Sequence, residues 1–254
     1  MKNFKNGYTL VEVLITIGII GIIAAITVPT LVNNSSRRTD GAELGRAKEL
    51  IEHATASVIN TAIKNNESGS NYTTLTGIRQ KDVINNDSDE WLIANDENAD
   101  SNWITTVQGI TGLKSHPANY LDSIKMYSGD DLLSAQDSFS NIADFLTFKF
   151  DKSKYLIIYE PIGEVNLAEV KPEEILTRIF VDINGSDEPN RVGKDIFLFG
   201  LANNGHIVPA GSEAYNRGNS NTINVNSCVD DNNDIDNELA CAAKVAADNW
   251  RINY

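Results

Sequence analysis

The side chains best equipped for chemistry lie in two acidic stretches, and the chemistry they suggest is cation binding. In the first, Asp182, Asn184, Asp187 and Asp195 place hard oxygens around an Asn184-Gly185 turn. In the second, Asp230, Asn232, Asp234, Asp236 and Glu238 recur at every second position between two cysteines. Calcium takes about six to eight oxygen ligands, and alternating Asp and Asn in a loop can supply several of them. Neither stretch has the Asp-x-Asp-x-Asp-Gly spacing with a glutamate at the twelfth place. A plain Asn-Gly hairpin turn and a solvated loop therefore compete with the calcium reading. No catalytic motif is present. His53, His116 and His206 stand far apart, and there is no Gly-x-Ser-x-Gly, no phosphate-binding loop and no Gly-x-Gly-x-x-Gly. The chain reads as a non-enzyme.

One acid stands apart from these. Glu12 sits at the head of an apolar run, and from Val13 to Val32 about twenty residues carry no charge, the length a helix rising about 1.5 Å per residue needs to cross a hydrocarbon layer. A carboxylate inside such a run costs about 2.5 to 3.5 kcal/mol even on lenient insertion scales, so it calls for a partner. A secretory signal has its small-residue cleavage site after the apolar core. Here the small residue beside the basic start is Gly7, ahead of that core, and cutting there leaves the membrane helix on the product.

The stretch Lys5-Asn6-Gly7-Tyr8-Thr9-Leu10-Val11-Glu12-Val13-Leu14-Ile15 resembles the class III leader of type IV prepilins and type II secretion pseudopilins. The resemblance implies that a membrane prepilin peptidase cuts after Gly7 and that Tyr8, where the family usually has Phe or Met, becomes the N-methylated first residue. It makes Glu12 the fifth mature residue and Pro29 the twenty-second, where many pilins carry a helix-loosening proline. In such filaments the helices bundle, and the glutamate of one subunit lies against the free amino group of its neighbour. Pairing both charges away from water offsets their desolvation and sets the axial register. Val181–Phe199 and Leu239–Tyr254 are also similar to stretches found in pseudopilin-like proteins, and a calcium loop is a feature of major pseudopilins.

The remaining sequence has to position these groups. About 220 of the 254 residues follow the leader and apolar run, enough for one domain of ordinary size. A net charge of −14 argues against a surface that coats nucleic acid or binds anionic lipid through a basic patch. Leu44, Ala47, Ile51, Ala54, Val58 and Ala62 fall at spacings of three and four, which predicts an amphipathic helix packed on a sheet. Gly41 and Gly45 weaken its first turn, and the turn formers from Asn65 to Ser70 end it. Residues 70 to 140 point to short helices rather than strands, with Trp91, Leu92, Ile93, Trp103, Ile104 and Val107 as buried anchors under an acidic surface. Strands are expected at 145–150, 155–159, 178–183, 195–199 and 205–208 from their alternation and their aromatic and branched residues.

The expected fold is α+β and pilin-like: a long N-terminal helix, transmembrane in its first half, packed on an antiparallel sheet. Its parts are a leader over 1–7, the membrane and assembly helix over 8–36, and an exported domain over 37–254. That domain divides into an amphipathic helix over 37–65, a variable region over 66–144, a sheet over 145–210 and a C-terminal region over 211–254. An exported chain meets an oxidising compartment, so Cys228 and Cys241 are expected to form a disulfide. The resemblance implies an inner-membrane protein with its C-terminal domain exported, which later enters a periplasmic or cell-surface filament. Its partners are other pilin subunits, the peptidase, and an assembly platform with its ATPase. The size and the long middle region lean toward a minor subunit. A secretion pseudopilus, a surface pilus and a DNA-uptake filament compete, and a membrane-anchored adhesin is the reading from another class.

Overall fold

The computed structural model describes residues 9–65, 73–79, 82–83, 92, 113–116, 124, 146–150, 154–160, 170–217, 228 and 239–254. Helix α1 runs unbroken over Leu10–Asn65 and includes Pro29. The polar stretch after Val32 does not interrupt it, because its hydroxyls bond along the helix. Thr39 Oγ1 donates to the Ser35 carbonyl at 3.1 Å, and Ser36 Oγ donates to Asp40 Oδ2 at 3.1 Å.

The two halves of α1 differ in what they touch. Large apolar side chains from Leu10 to Val32 are all exposed, whereas Leu44, Ala47, Ile51, Ala54, Val58 and Ala62 are buried as the helical period requires. That stripe packs on a sheet of six antiparallel strands in sequential order: β1 Leu113–His116, β2 Leu146–Phe150, β3 Leu156–Tyr159, β4 Ile175–Asp182, β5 Ile196–Ala202 and β6 Ile207–Pro209. In register, Phe148 faces Ile157, Ile157 faces Val181, and Val181 faces Phe197. These residues share the core with the α1 stripe. The alternate residues Leu156, Ile158, Phe180, Ile196 and Leu198 form a second core on the opposite side with Tyr215, Leu239 and Ala240. Burial on both faces explains why β5 reads as a near-continuous apolar run. Two short helices, α2 Glu213–Arg217 and α3 Cys241–Ala247, and a single 3₁₀ turn at Leu75–Gly77 complete the described elements.

Several expectations are corrected. Leu113–His116 is a strand, where short helices were expected. Its Leu-Lys-Ser-His sequence has little strand propensity of its own, and pairing with β2 decides its conformation. Of the six apolar anchors in the middle region, Leu92 is fully buried; Trp91, Ile93, Trp103, Ile104 and Val107 lie outside the described residues. Gly41 and Gly45 are not weak points, since the C-terminal segment crosses α1 there. A Cβ on Gly41 would run into the Trp250 carbonyl, and one on Gly45 would stand 3.1 Å from the Trp250 indole. Trp250 is held at φ 58°, with its N–H donating to the Val245 carbonyl at 2.9 Å. Cys228 and Cys241 form the expected disulfide, with an S–S distance of 2.05 Å.

Candidate functional site

Glu12 finds its first partner inside its own chain. Its N–H donates to Thr9 Oγ1 at 3.2 Å, while its Oε2 accepts from the Thr9 N–H and the Thr9 hydroxyl, each at 3.1 Å. This reciprocal arrangement is a capping box, in which a Thr at the helix start and a Glu three residues on satisfy each other's backbone donors. The Thr-x-x-Glu spacing before an apolar run is the signal of this box in the sequence, and it gives Glu12 a partner besides the neighbour's amine that the family resemblance implies. Gly7 and Tyr8 lie outside the described residues. Beyond the box, every large apolar side chain on α1 through Val32 is exposed, so this half of the helix is a surface that the described residues do not cover.

The first acidic stretch lies far away, at the other end of the protruding helix. Roughly 44 Å of helix separates Glu12 from Gly41 at about 1.5 Å per residue. Asp182 ends β4 and Asp195 precedes β5, so the pair flanks the base of one turn. Asp182 Oδ1 accepts from the Asn184 and Gly185 N–H groups at 3.0 and 2.8 Å. Asp195 Oδ1 accepts from the Arg191 N–H at 2.6 Å, and its Oδ2 accepts from the Asn190 N–H at 2.8 Å and from Asn184 Nδ2 at 3.1 Å. Gly185 is required here: its φ is +76°, and a Cβ would stand 2.6 Å from the Lys154 carbonyl. Burial, reinforced by the neighbouring Asp195, pushes the Asp182 carboxyl up to about 8. Burial also raises Asp195, although the amides it accepts from pull the other way.

The fold therefore brings Asp182, Asn184 and Asp195 together and leaves Asp187 exposed on the rim. Asn184 Oδ1 is buried and lacks a hydrogen-bond partner, so it is one oxygen open to a cation. The carboxylates, by contrast, already accept turn amides. Among the described residues, no three His, Cys, Asp or Glu side chains come close enough to hold a metal ion. Asp230, Asn232, Asp234, Asp236 and Glu238 lie outside the described residues. His53 is exposed on α1, and His206 sets Nδ1 3.0 Å from Glu52 Oε1. Burial pushes the Glu52 carboxyl up, but bonds from Lys48 and His206 outweigh it and lower it overall. Inside the sheet, Arg178 grips the buried Glu160 with two guanidinium nitrogens. These are structural pairings.

Residues 2–28 match the model of the prokaryotic N-terminal methylation motif, the class III leader of type IV pilins and pseudopilins. With the long helix and the antiparallel sheet, the match supports a type IV pilin- or pseudopilin-like protein. Proteins carrying this motif are structural rather than enzymatic, and they assemble with other pilin subunits in a filament. No curated protein and no solved structure matches the chain. α1 is long and apolar enough to cross a membrane, and with the leader motif this points to a membrane-anchored, exported protein.

Proposed function

We propose that the chain is a minor subunit of a type II secretion pseudopilus or a type IV pilus. Prepilin peptidase cuts after Gly7 and methylates Tyr8, the domain is exported, and an ATPase-driven platform draws α1 out of the inner membrane into a filament. One observation carries this reading: an apolar helical surface, exposed on every side from Leu10 to Val32, with a single acid at its head. The capping box offers Glu12 a way to sit near lipid before assembly, its carboxylate accepting from Thr9 instead of water. In the filament, the methylated amine of an adjacent subunit becomes the stronger partner, because opposite charges brought together away from water attract more than a neutral donor does. Pro29 sits where a helix being drawn into a bundle can adjust its packing.

Mass spectrometry of the protein recovered from its native cell checks the first step. The expected N-terminus is methylated Tyr8, and a chain still beginning at Met1 overturns the reading. Glu12→Ala separates filament subunit from anchored adhesin. A subunit with this change is cleaved and stays in the membrane but no longer appears in sheared filaments, whereas an adhesin that uses the helix as a plain anchor is unaffected.

A further inference from the structure

Where α1 meets the sheet, a cavity of about 470 Å³ lies between the helix, the turn joining β4 to β5, and the last residues of the chain. Arg37 and Asp40 stand on the helix wall, Asp187, Glu188 and Lys194 on the turn, and Tyr254 closes the third side. Tyr254 is anchored there, its hydroxyl donating to the Gly193 carbonyl at 2.9 Å. The size falls within the range of about 300–1,000 Å³ typical of small-ligand sites. Its charged lining carries both signs. Asp195 also lines it, but that carboxylate is engaged by turn amides.

The height of this cavity is set by the helix. Because α1 is continuous, Ser36 stands about 6 Å and Asp40 about 12 Å beyond Val32, the last exposed large apolar residue of the run. The headgroup layer of one leaflet spans roughly 5–8 Å outside the hydrocarbon. With Leu10–Val32 filling the hydrocarbon, the helix wall of the cavity begins in that layer.

We propose that this cavity binds the headgroup of a zwitterionic phospholipid bearing a primary ammonium, with its phosphate toward Arg37 and its ammonium toward Asp187 and Glu188. A primary ammonium donates three hydrogen bonds, which suits a carboxylate rim. A quaternary ammonium donates none and is held by aromatic cages, and among the described residues lining the cavity Tyr254 is the one aromatic. An anionic headgroup without an amine meets more carboxylates than cations. A lipid so held would fix the rotation of the subunit about its own helix while it waits in the membrane.

The inference rests on the membrane-spanning reading of Leu10–Val32, and one experiment tells the two apart. The full-length chain is placed in phosphatidylcholine nanodiscs containing equal minor amounts of phosphatidylethanolamine and phosphatidylglycerol, and native mass spectrometry identifies the lipid that stays bound. The wild type is expected to keep one phosphatidylethanolamine. Arg37→Gln should lose about tenfold in retention, the value of one charge-assisted contact. Arg38→Gln, one residue further along and not part of the lining, should match the wild type. A chain held in the disc without lipid preference, or with equal losses in both variants, overturns the headgroup site alone. Displacement of the lipid by millimolar inorganic phosphate also overturns it, because the cavity is then a general oxyanion site. A chain that leaves the disc overturns the membrane-spanning reading as well.

Discussion

The two halves of α1 are built from the same kind of side chain and meet opposite fates. In the lower half, Leu44 and Val58 are fully buried; in the upper half, Leu10 is 77 % exposed and Ile26 69 %. The difference lies in the pattern. From Asp40 onward, the buried apolar residues keep to one stripe, which a sheet can cover from one side, while Leu50 and Ile63 fall outside it and stay exposed. Between Val13 and Val32 they occupy every face, so no single sheet could cover them, and only lipid or a ring of other helices surrounds such a rod. The monomer therefore completes one half of its helix and leaves the other for its surroundings.

The largest expected effect breaks this comparison most directly. Leu44→Ala removes a fully buried side chain from the α1–sheet core, and such truncations cost about 2–5 kcal/mol. The melting temperature in detergent should fall by roughly 5–15 °C. Ile19→Ala, in the exposed half, should leave it unchanged while weakening filament assembly. If both substitutions lower the melt equally, the upper half packs within the monomer and the contrast between the halves is lost.

A second test turns to the buried turn. The Asp182 carboxyl is raised from 3.8 to about 8, chiefly by burial and then by Asp195. The native state thus binds a proton that the unfolded chain gives up, and the sign follows: stability is greatest below about pH 4 as far as this group is concerned, and falls as pH rises toward 8. The loss should be on the order of 1–3 kcal/mol, less than a full desolvation figure because the carboxylate keeps its amide donors. Asp182→Asn retains an acceptor for the Asn184 and Gly185 N–H groups and cannot ionise, so it should flatten the melting temperature across this range. A slope that survives in Asp182→Asn assigns the effect to another group.

What could be read in advance follows the same division. The α1 stripe was legible because a period of three and four survives in one dimension, and β2 to β5 because aromatic and branched residues fill short runs. Their bounds differ from expectation by three residues at most, at the start of β4, Ile175 rather than Arg178, and at the end of β5, Ala202 rather than Phe199. β1 was not legible, since Leu113 to His116 owe their conformation to β2, some thirty residues on. Gly41 and Gly45 looked like helix weaknesses because the residue that needs their smallness, Trp250, lies about two hundred positions away. At the site, the leader was legible through the family resemblance of Lys5–Ile15, which the match over residues 2–28 bears out. The cavity walled by Arg37, Glu188 and Tyr254 was invisible, since it exists only once three distant segments meet.

The smallest expected effect concerns calcium, which we propose as a weak ligand of the turn flanked by Asp182 and Asp195. Asn184 Oδ1 is the feature in its favour, a buried oxygen without a donor. Against strong binding, the two carboxylates already accept turn amides, and a cation has to displace or share those bonds. Affinity should then fall at the weak end known for extracellular calcium modules, a Kd of about 0.1–1 mM. At 5 mM calcium, mass action gives roughly 1–2 kcal/mol of added stability, equivalent to a rise in melting temperature of about 2–8 °C. Magnesium, which demands a tighter octahedron and keeps its waters, should give less. The same substitution that flattens the pH slope, Asp182→Asn, should abolish the rise. An identical melt in calcium and in excess chelator removes calcium from this turn and leaves its acids with a single role, accepting the amides that shape the β4–β5 connection.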